Sequence, residues 1–223
     1  MENTSSVAYN ATDKAEKKSA ASPKINVTSR TKYLVELALM IAIVVLMAYT
    51  PLGYIKTPVL SVTLLTVPVA IGAAILGPKA GAVLGLTFGA TSFINSLTGQ
   101  SAFMTLLMGV SPFGVFVTTV VARVLCGWCT GLIFKGLHSI KATQRISYYA
   151  SSLACPLLNT LFFMSSLIIF FYGTVNAKGT FSNPFSYVIA TVGIQGLIEA
   201  GTCFVIASAV TRVLYKYLNT AKN

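Results

Sequence analysis

The sequence predicts an all-α integral membrane protein of six transmembrane helices, with both termini cytoplasmic. Three observations carry this. Of 223 residues, 55% are hydrophobic and 9% charged, against roughly a quarter charged in a soluble domain. Six apolar runs fall at about residues 32–50, 60–77, 79–97, 112–134, 147–172 and 186–216, and about 20 residues suffice to cross ~30 Å of hydrocarbon. The net charge of +11 is distributed as the positive-inside rule requires. With the amino terminus inside, Lys14, Lys17, Lys18, Lys24, Arg30, Lys32, Lys79, Lys135, Lys141, Arg145, Arg212, Lys216 and Lys222 are cytoplasmic, and only Lys56 and Lys178 face outward. That pattern sets the basic charge against a membrane surface and excludes nucleic acid as its partner.

Residues 1–31 are polar and basic and lack the apolar core of a signal peptide, so they read as a disordered cytoplasmic tail. The membrane domain follows over 32–216, with a short cytoplasmic tail at 217–223. Helix one carries Ala38 and Ala42 one turn apart, a flat strip against which another helix can pack closely. The loop "PLGYIKTP" is stiffened by Pro51 and Pro58. In "GPKAGAVLGLTFGATSF", Gly77, Gly81, Gly85 and Gly89 recur every four residues. Glycine weakens a helix in water, but in lipid it lets two backbones approach, so this ladder is a helix-packing face, with Gly77-Pro78 at the inner turn. Residues 98–111 carry no charge and expose Phe103, Leu106 and Leu107, which predicts a segment folded back as a lid over a cavity. The outer loop at 173–185 is polar and glycine-containing, as a flap is.

The chain lacks the phosphate-cradling pattern GxxxxGK[ST] and so does not itself hydrolyse ATP in that manner. Its spanning helices hold only Glu36, Arg123 and Glu199 as strongly ionisable groups. These build neither a metal site nor a nucleophile with its base, and the chain reads as no enzyme, with no cofactor and no metal. Cys126-Gly-Trp-Cys129 has redox spacing, but within a spanning helix and without a second pair it reads as small apolar packing.

Ionisable groups at membrane depth point to function. Arg123 lies eleven residues past Pro112, ~16 Å down a helix at ~1.5 Å per residue. Glu199 lies thirteen residues past Ser186, ~20 Å down by the same rise. Two readings are open: a buried ion pair fixing helices four and six, or a cavity in which Arg123 receives a carboxylate and Glu199 holds its side chain. Bidentate geometry suits arginine to the second, although the positive end of helix four near Ser111 offers another anion site. Asn95, Gln100, Asn159 and Gln195 gather in the same half and suit hydroxyl and amide groups of a small ligand. Tyr54, Phe103 and Tyr187 supply aromatic cover.

The order of these features resembles the S components of energy-coupling factor vitamin transporters. The likeness covers about residues 32–216 and is most specific in "LGYIKTPVLSVTLLTVPVAIGAAILGPKAGAVLGLTFGATS". It implies a six-helix substrate-binding subunit that captures a vitamin from outside. Through Ala38 and Ala42 it would dock on a transmembrane T subunit driven by two ATPase subunits, and deliver its substrate by toppling. The pattern from Leu52 to Ser92 is most similar to pantothenate-type S components, and a deep arginine with amides suits a small hydroxy-amide carboxylate. Folate, then riboflavin or biotin, are the alternatives, and a stand-alone secondary transporter is the alternative class.

Overall fold

The computed structural model describes residues 29–50, 53–56, 61–100, 102–140, 143–144, 146–175 and 196–213. The described residues from Leu34 onward belong to one compact unit. Helix α1 (Ser29–Tyr49) is apolar almost all round. Val44 and Ala48, one turn apart, are buried in the core, while Leu34, Val35, Leu39, Ile43 and Leu46 are exposed. Such an outward apolar face belongs to a helix whose solvent is lipid.

After α1 the chain turns through Gly53, whose amide bonds to Thr50 O at 3.1 Å and whose carbonyl accepts from Leu64 N at 3.0 Å. A side chain at Gly53 would strike the Met47 carbonyl. A two-stranded antiparallel ribbon follows, β1 (Tyr54–Lys56) on β2 (Ser61–Thr63), with Ile55 opposite Val62. The second apolar run is therefore only partly helical. Its first residues close this ribbon, and α2 (Thr66–Leu76) has just 11 residues, ~16 Å at ~1.5 Å per residue and short of a full crossing. Every residue from Thr66 to Ala74 is buried, so α2 is a core helix wrapped by the longer ones.

Gly77 adopts φ 92°, open to glycine at little cost, and nothing lies within 4 Å of where its Cβ would stand. Its place in the ladder is thus conformational: it turns the chain into α3 (Pro78–Leu97), with Pro78 at the first helical position where its missing N–H costs nothing. The next three rungs are close contacts. A Cβ at Gly81 would collide with the Gly127 carbonyl and one at Gly85 with the Arg123 carbonyl, while one at Gly89 would come within 2.7 Å of Val120 Cα. Gly127 and Gly131 reciprocate against Gly81 and Pro78, so α3 and its partner run antiparallel with backbones nearly touching.

That partner is α5 (Pro112–Ser139), 28 residues long. Between them α3 ends at Gly99, φ 76°. The Gln100 amide bonds to Asn95 O at 3.0 Å, closing the helix end in a glycine-based cap. The short α4 (Ala102–Met108) then buries Met104 and Leu107, leaves Leu106 74% exposed and is tied back to α3 by Thr105 Oγ1 donating to Ser96 O at 3.0 Å. Ser111 caps α5, its Oγ accepting from Gly114 N at 3.2 Å. The helix α6 (Ile146–Val175) packs on α2 and α5, and α7 (Gly196–Val213) completes the described chain. Along α7, Glu199, Cys203, Ala207 and Thr211 are buried at four-residue spacing. The described residues hold five helices long and apolar enough to span a bilayer, with α2 as a shorter sixth apolar helix.

A polar layer between two apolar clusters

The buried apolar residues divide into two clusters. One contains Val44, Leu65, Val69, Leu84, Phe88, Cys126, Cys155 and Cys203. The other contains Met104, Leu107, Val115, Met164, Leu167 and Phe171, with Phe93 and Phe163 packed against it. Some of the buried polar side chains fall along the helices between the two, while others, among them Thr130, Ser147, Ser151, Ser166 and Ser208, lie elsewhere. Along α3, Thr91 and Ser92 lie between Phe88 and Phe93, with Asn95 and Ser96 just beyond; along α5, buried Thr118 and Thr119 and half-buried Arg123 separate Val115 from Cys126; along α6, Asn159 separates Cys155 from Phe163. Glu199 on α7 stands one turn before Cys203 of the first cluster.

Several of these hydroxyls satisfy themselves on their own helices. Thr91 Oγ1 donates to Phe88 O at 2.9 Å, Ser96 Oγ to Ser92 O at 2.9 Å, Thr118 Oγ1 to Gly114 O at 2.8 Å and Thr119 Oγ1 to Val115 O at 2.7 Å. In contrast, the acceptor oxygens Asn95 Oδ1, Asn159 Oδ1 and Glu199 Oε1 are buried with no hydrogen-bond partner among the described residues. Orphaned buried acceptors are rare because each forfeits its hydration, so they call for a donor.

Arg123 occupies the same layer. Helix α5 makes a π turn at Val117–Val121, closed by Ala122 N on Val117 O, a device that interrupts the regular ladder and recurs at functional sites. Arg123 Nη1 donates to Thr119 O at 3.0 Å and Thr118 O at 3.3 Å, satisfying carbonyls at that interruption. The guanidinium carbon lies 4.5 Å from the ring centre of Phe88 on α3 and 5.5 Å from that of Phe163 on α6. None of these hydrogen bonds goes to Glu199, on which the arginine acts through space.

Arg123, Asn159 and Glu199 thus lie between the clusters, with Asn95 at the edge of the second. Gln100 is exposed beyond the end of α3, its amide engaged in the helix cap. Tyr54 and Phe103 fall in β1 and α4, with their side chains outside the described part of the structure. Tyr187 and Gln195 lie outside the described residues. Sequence reasoning missed Phe88 and Phe163. Phenylalanine is common in apolar helices, and only the rotation of three helices about their axes brings two rings onto one guanidinium. Sequence signals for the π turn are equally slight, the adjacent Thr118 and Thr119 being the one local hint.

Ala38 and Ala42 are exposed on α1 and do not serve packing within the described bundle. All four cysteines are thiols. Cys126 Sγ donates to Cys155 O at 3.2 Å, and among the described residues no group of three His, Cys, Asp or Glu side chains is arranged to hold a metal.

Residues 32–211 match the family model for the substrate-specific component of ECF transporters. The chain is also 29% identical over 168 residues to a pantothenic acid transporter of Lactococcus lactis subsp. cremoris (strain MG1363), covering 71% of this chain and 80% of the relative. With a family match over most of its length and five helices able to span a bilayer, the chain belongs to the substrate-specific components of energy-coupling factor (ECF) transporters and is a multi-pass protein of the cell membrane.

Proposed function

We propose that the chain is the high-affinity pantothenate-binding subunit of an ATP-driven ECF importer. The observation that carries this is the polar layer. It offers the Arg123 guanidinium and, beside the two apolar clusters, three buried acceptor oxygens without described partners. A ligand complementary to it bears one anionic group and several donors on a compact apolar frame. Pantothenate has a carboxylate for Arg123, with hydroxyls and an amide N–H for Asn95, Asn159 and Glu199. The similarity to a pantothenic acid transporter supports the same choice. In this reading Gln100, Gln195, Tyr54, Phe103 and Tyr187 line the approach from outside.

The family membership supports partnership with a transmembrane T subunit and two ATPase subunits, which supply the ATP hydrolysis. In this reading the membrane domain runs over 32–216, the ribbon and the short α2 together making the second of six crossings, so that both ends, with the tails at 1–31 and 217–223, are cytoplasmic. Exposure of Ala38 and Ala42 supports α1 as the docking strip, and the bound subunit topples to deliver its substrate inward.

The test is a thermal-shift screen of the detergent-purified protein, without ATP, against pantothenate, folate, riboflavin and biotin. Pantothenate alone raises the unfolding temperature, with sub-micromolar affinity by calorimetry. Arg123→Ala removes a charge-assisted bidentate contact and weakens that binding by about 10- to 100-fold. A different vitamin giving the shift, or unchanged affinity in Arg123→Ala, rejects the assignment.

A further inference from the structure

We propose that Phe163 is a positioning residue that makes the site selective for a carboxylate, by holding the Arg123 guanidinium in one plane against the π turn of α5; the proposal rests on the reading of Arg123 as carboxylate receptor. Arginine has a long side chain with much rotamer freedom, and ordering it on ligand arrival would weaken binding. Here the order is built in before the ligand comes. Nη1 is fixed by two carbonyls of its own helix, at Thr118 and Thr119, where the π turn interrupts the ladder. Rings from two other helices stand 4.5 Å and 5.5 Å from the guanidinium carbon, within the range of a cation–π contact.

The two rings differ in consequence. Phe88 is 2% exposed and belongs to the first cluster, and its backbone is locked by the Gly85 and Gly89 contacts with α5. Phe163 is only half-buried and packs at the edge of the second cluster. It stands one turn from Asn159, so α6 presents a ring for the guanidinium and an acceptor for the ligand on one face. Losing the Phe163 ring leaves the arginine charge in place but frees the guanidinium plane. Carboxylate recognition depends on that plane, whereas hydroxyl and amide recognition by Asn95, Asn159 and Glu199 does not.

The experiment compares pantothenate with its alcohol analogue, in which CH2OH replaces the carboxylate, by calorimetry on detergent-purified protein. Phe163→Met keeps volume and removes the ring; Phe163→Tyr keeps the ring. Expected is a loss of about tenfold in pantothenate affinity for Phe163→Met, the scale of one desolvated cation–π contact. Affinity for the alcohol stays within about twofold, which also reports a folded site, and Phe163→Tyr restores the preference for the carboxylate. Equal losses for both ligands, or no loss for either, overturn the positioning role while Arg123→Ala still impairs pantothenate binding. Wild-type protein that fails to bind pantothenate, or an Arg123→Ala variant that binds it unchanged, overturns the carboxylate-receptor reading and the positioning role with it.

Discussion

Burying a carboxylate costs free energy unless a partner compensates it, and Glu199 is 6% exposed with Oε1 lacking a partner among the described residues. Its support is the Arg123 charge acting through space and the Thr66 side chain, while Arg123 spends its Nη1 hydrogen bonds on Thr118 and Thr119. Replacing the carboxylate by an amide relieves desolvation while keeping an acceptor for Thr66. Glu199→Gln is therefore expected to leave the unfolding temperature of ligand-free protein unchanged or raised, and to weaken pantothenate binding by about tenfold, the worth of one charged hydrogen bond. Differential scanning fluorimetry with and without ligand separates the two effects. A fall of several degrees without ligand would instead make Glu199 a strut holding α7 in place. From the sequence, the depth of Arg123 on α5 was legible, because residues since Pro112 convert directly to distance along a helix, whereas the count to Glu199 starts at Ser186, outside the described residues. Azimuth was not legible: whether Arg123 turns toward Glu199 or toward two rings depends on how α5 is rotated, and a π turn shifts that rotation within the helix itself.

Spacing along one helix is what a sequence displays best, and the glycine ladder shows both the reach of that reading and its limit. Gly81, Gly85 and Gly89 lie on one face by their four-residue period alone, yet the partner backbone, at Gly127, Arg123 and Val120 of α5, is visible only in the fold. Gly85→Ala sets a methyl against the Arg123 carbonyl, and is expected to destabilise by about 1–3 kcal/mol through overpacking. Gly201→Ala is its control, since nothing lies within 4 Å of that position on α7; better helix propensity makes it neutral or stabilising by up to about 1 kcal/mol. Thermal unfolding of the two variants side by side decides, and equal shifts would contradict the close α3–α5 contact. Because Gly85 abuts the carbonyl of the site arginine, Gly85→Ala also weakens pantothenate binding where Gly201→Ala does not. Hydropathy misled at the second apolar run, since residues 61–63 pair as a strand of the ribbon while only 66–76 are helical. A short apolar stretch reads alike in both conformations, and what distinguishes them is a strand partner at Tyr54–Lys56 across the turn.

At the scale of the whole molecule, the proposal that the chain docks as a subunit rests on the exposed face of α1. Only Val44 and Ala48 of this helix are deeply buried, and Ala38 and Ala42 remain exposed beside Leu34, Leu39 and Ile43. Lipid alone is satisfied by large apolar side chains. Two alanines one turn apart instead leave a shallow strip, against which a neighbouring transmembrane helix would pack with close van der Waals contact. Asn95, Arg123, Asn159 and Glu199 stand on α3, α5, α6 and α7, none on α1, so a change at Ala38 is on a different helix from all four. Ala38→Trp covers the strip without altering any of them. Purified Ala38→Trp protein is expected to bind pantothenate with wild-type affinity, whereas uptake of labelled pantothenate by cells co-expressing the T and ATPase subunits falls by at least about tenfold, a single helix contact of about 1.4 kcal/mol sufficing for that factor. Full transport by Ala38→Trp places the docking surface elsewhere. Uptake by the chain alone, abolished by collapsing the proton or sodium gradient, would make it a secondary transporter and leave the strip to lipid.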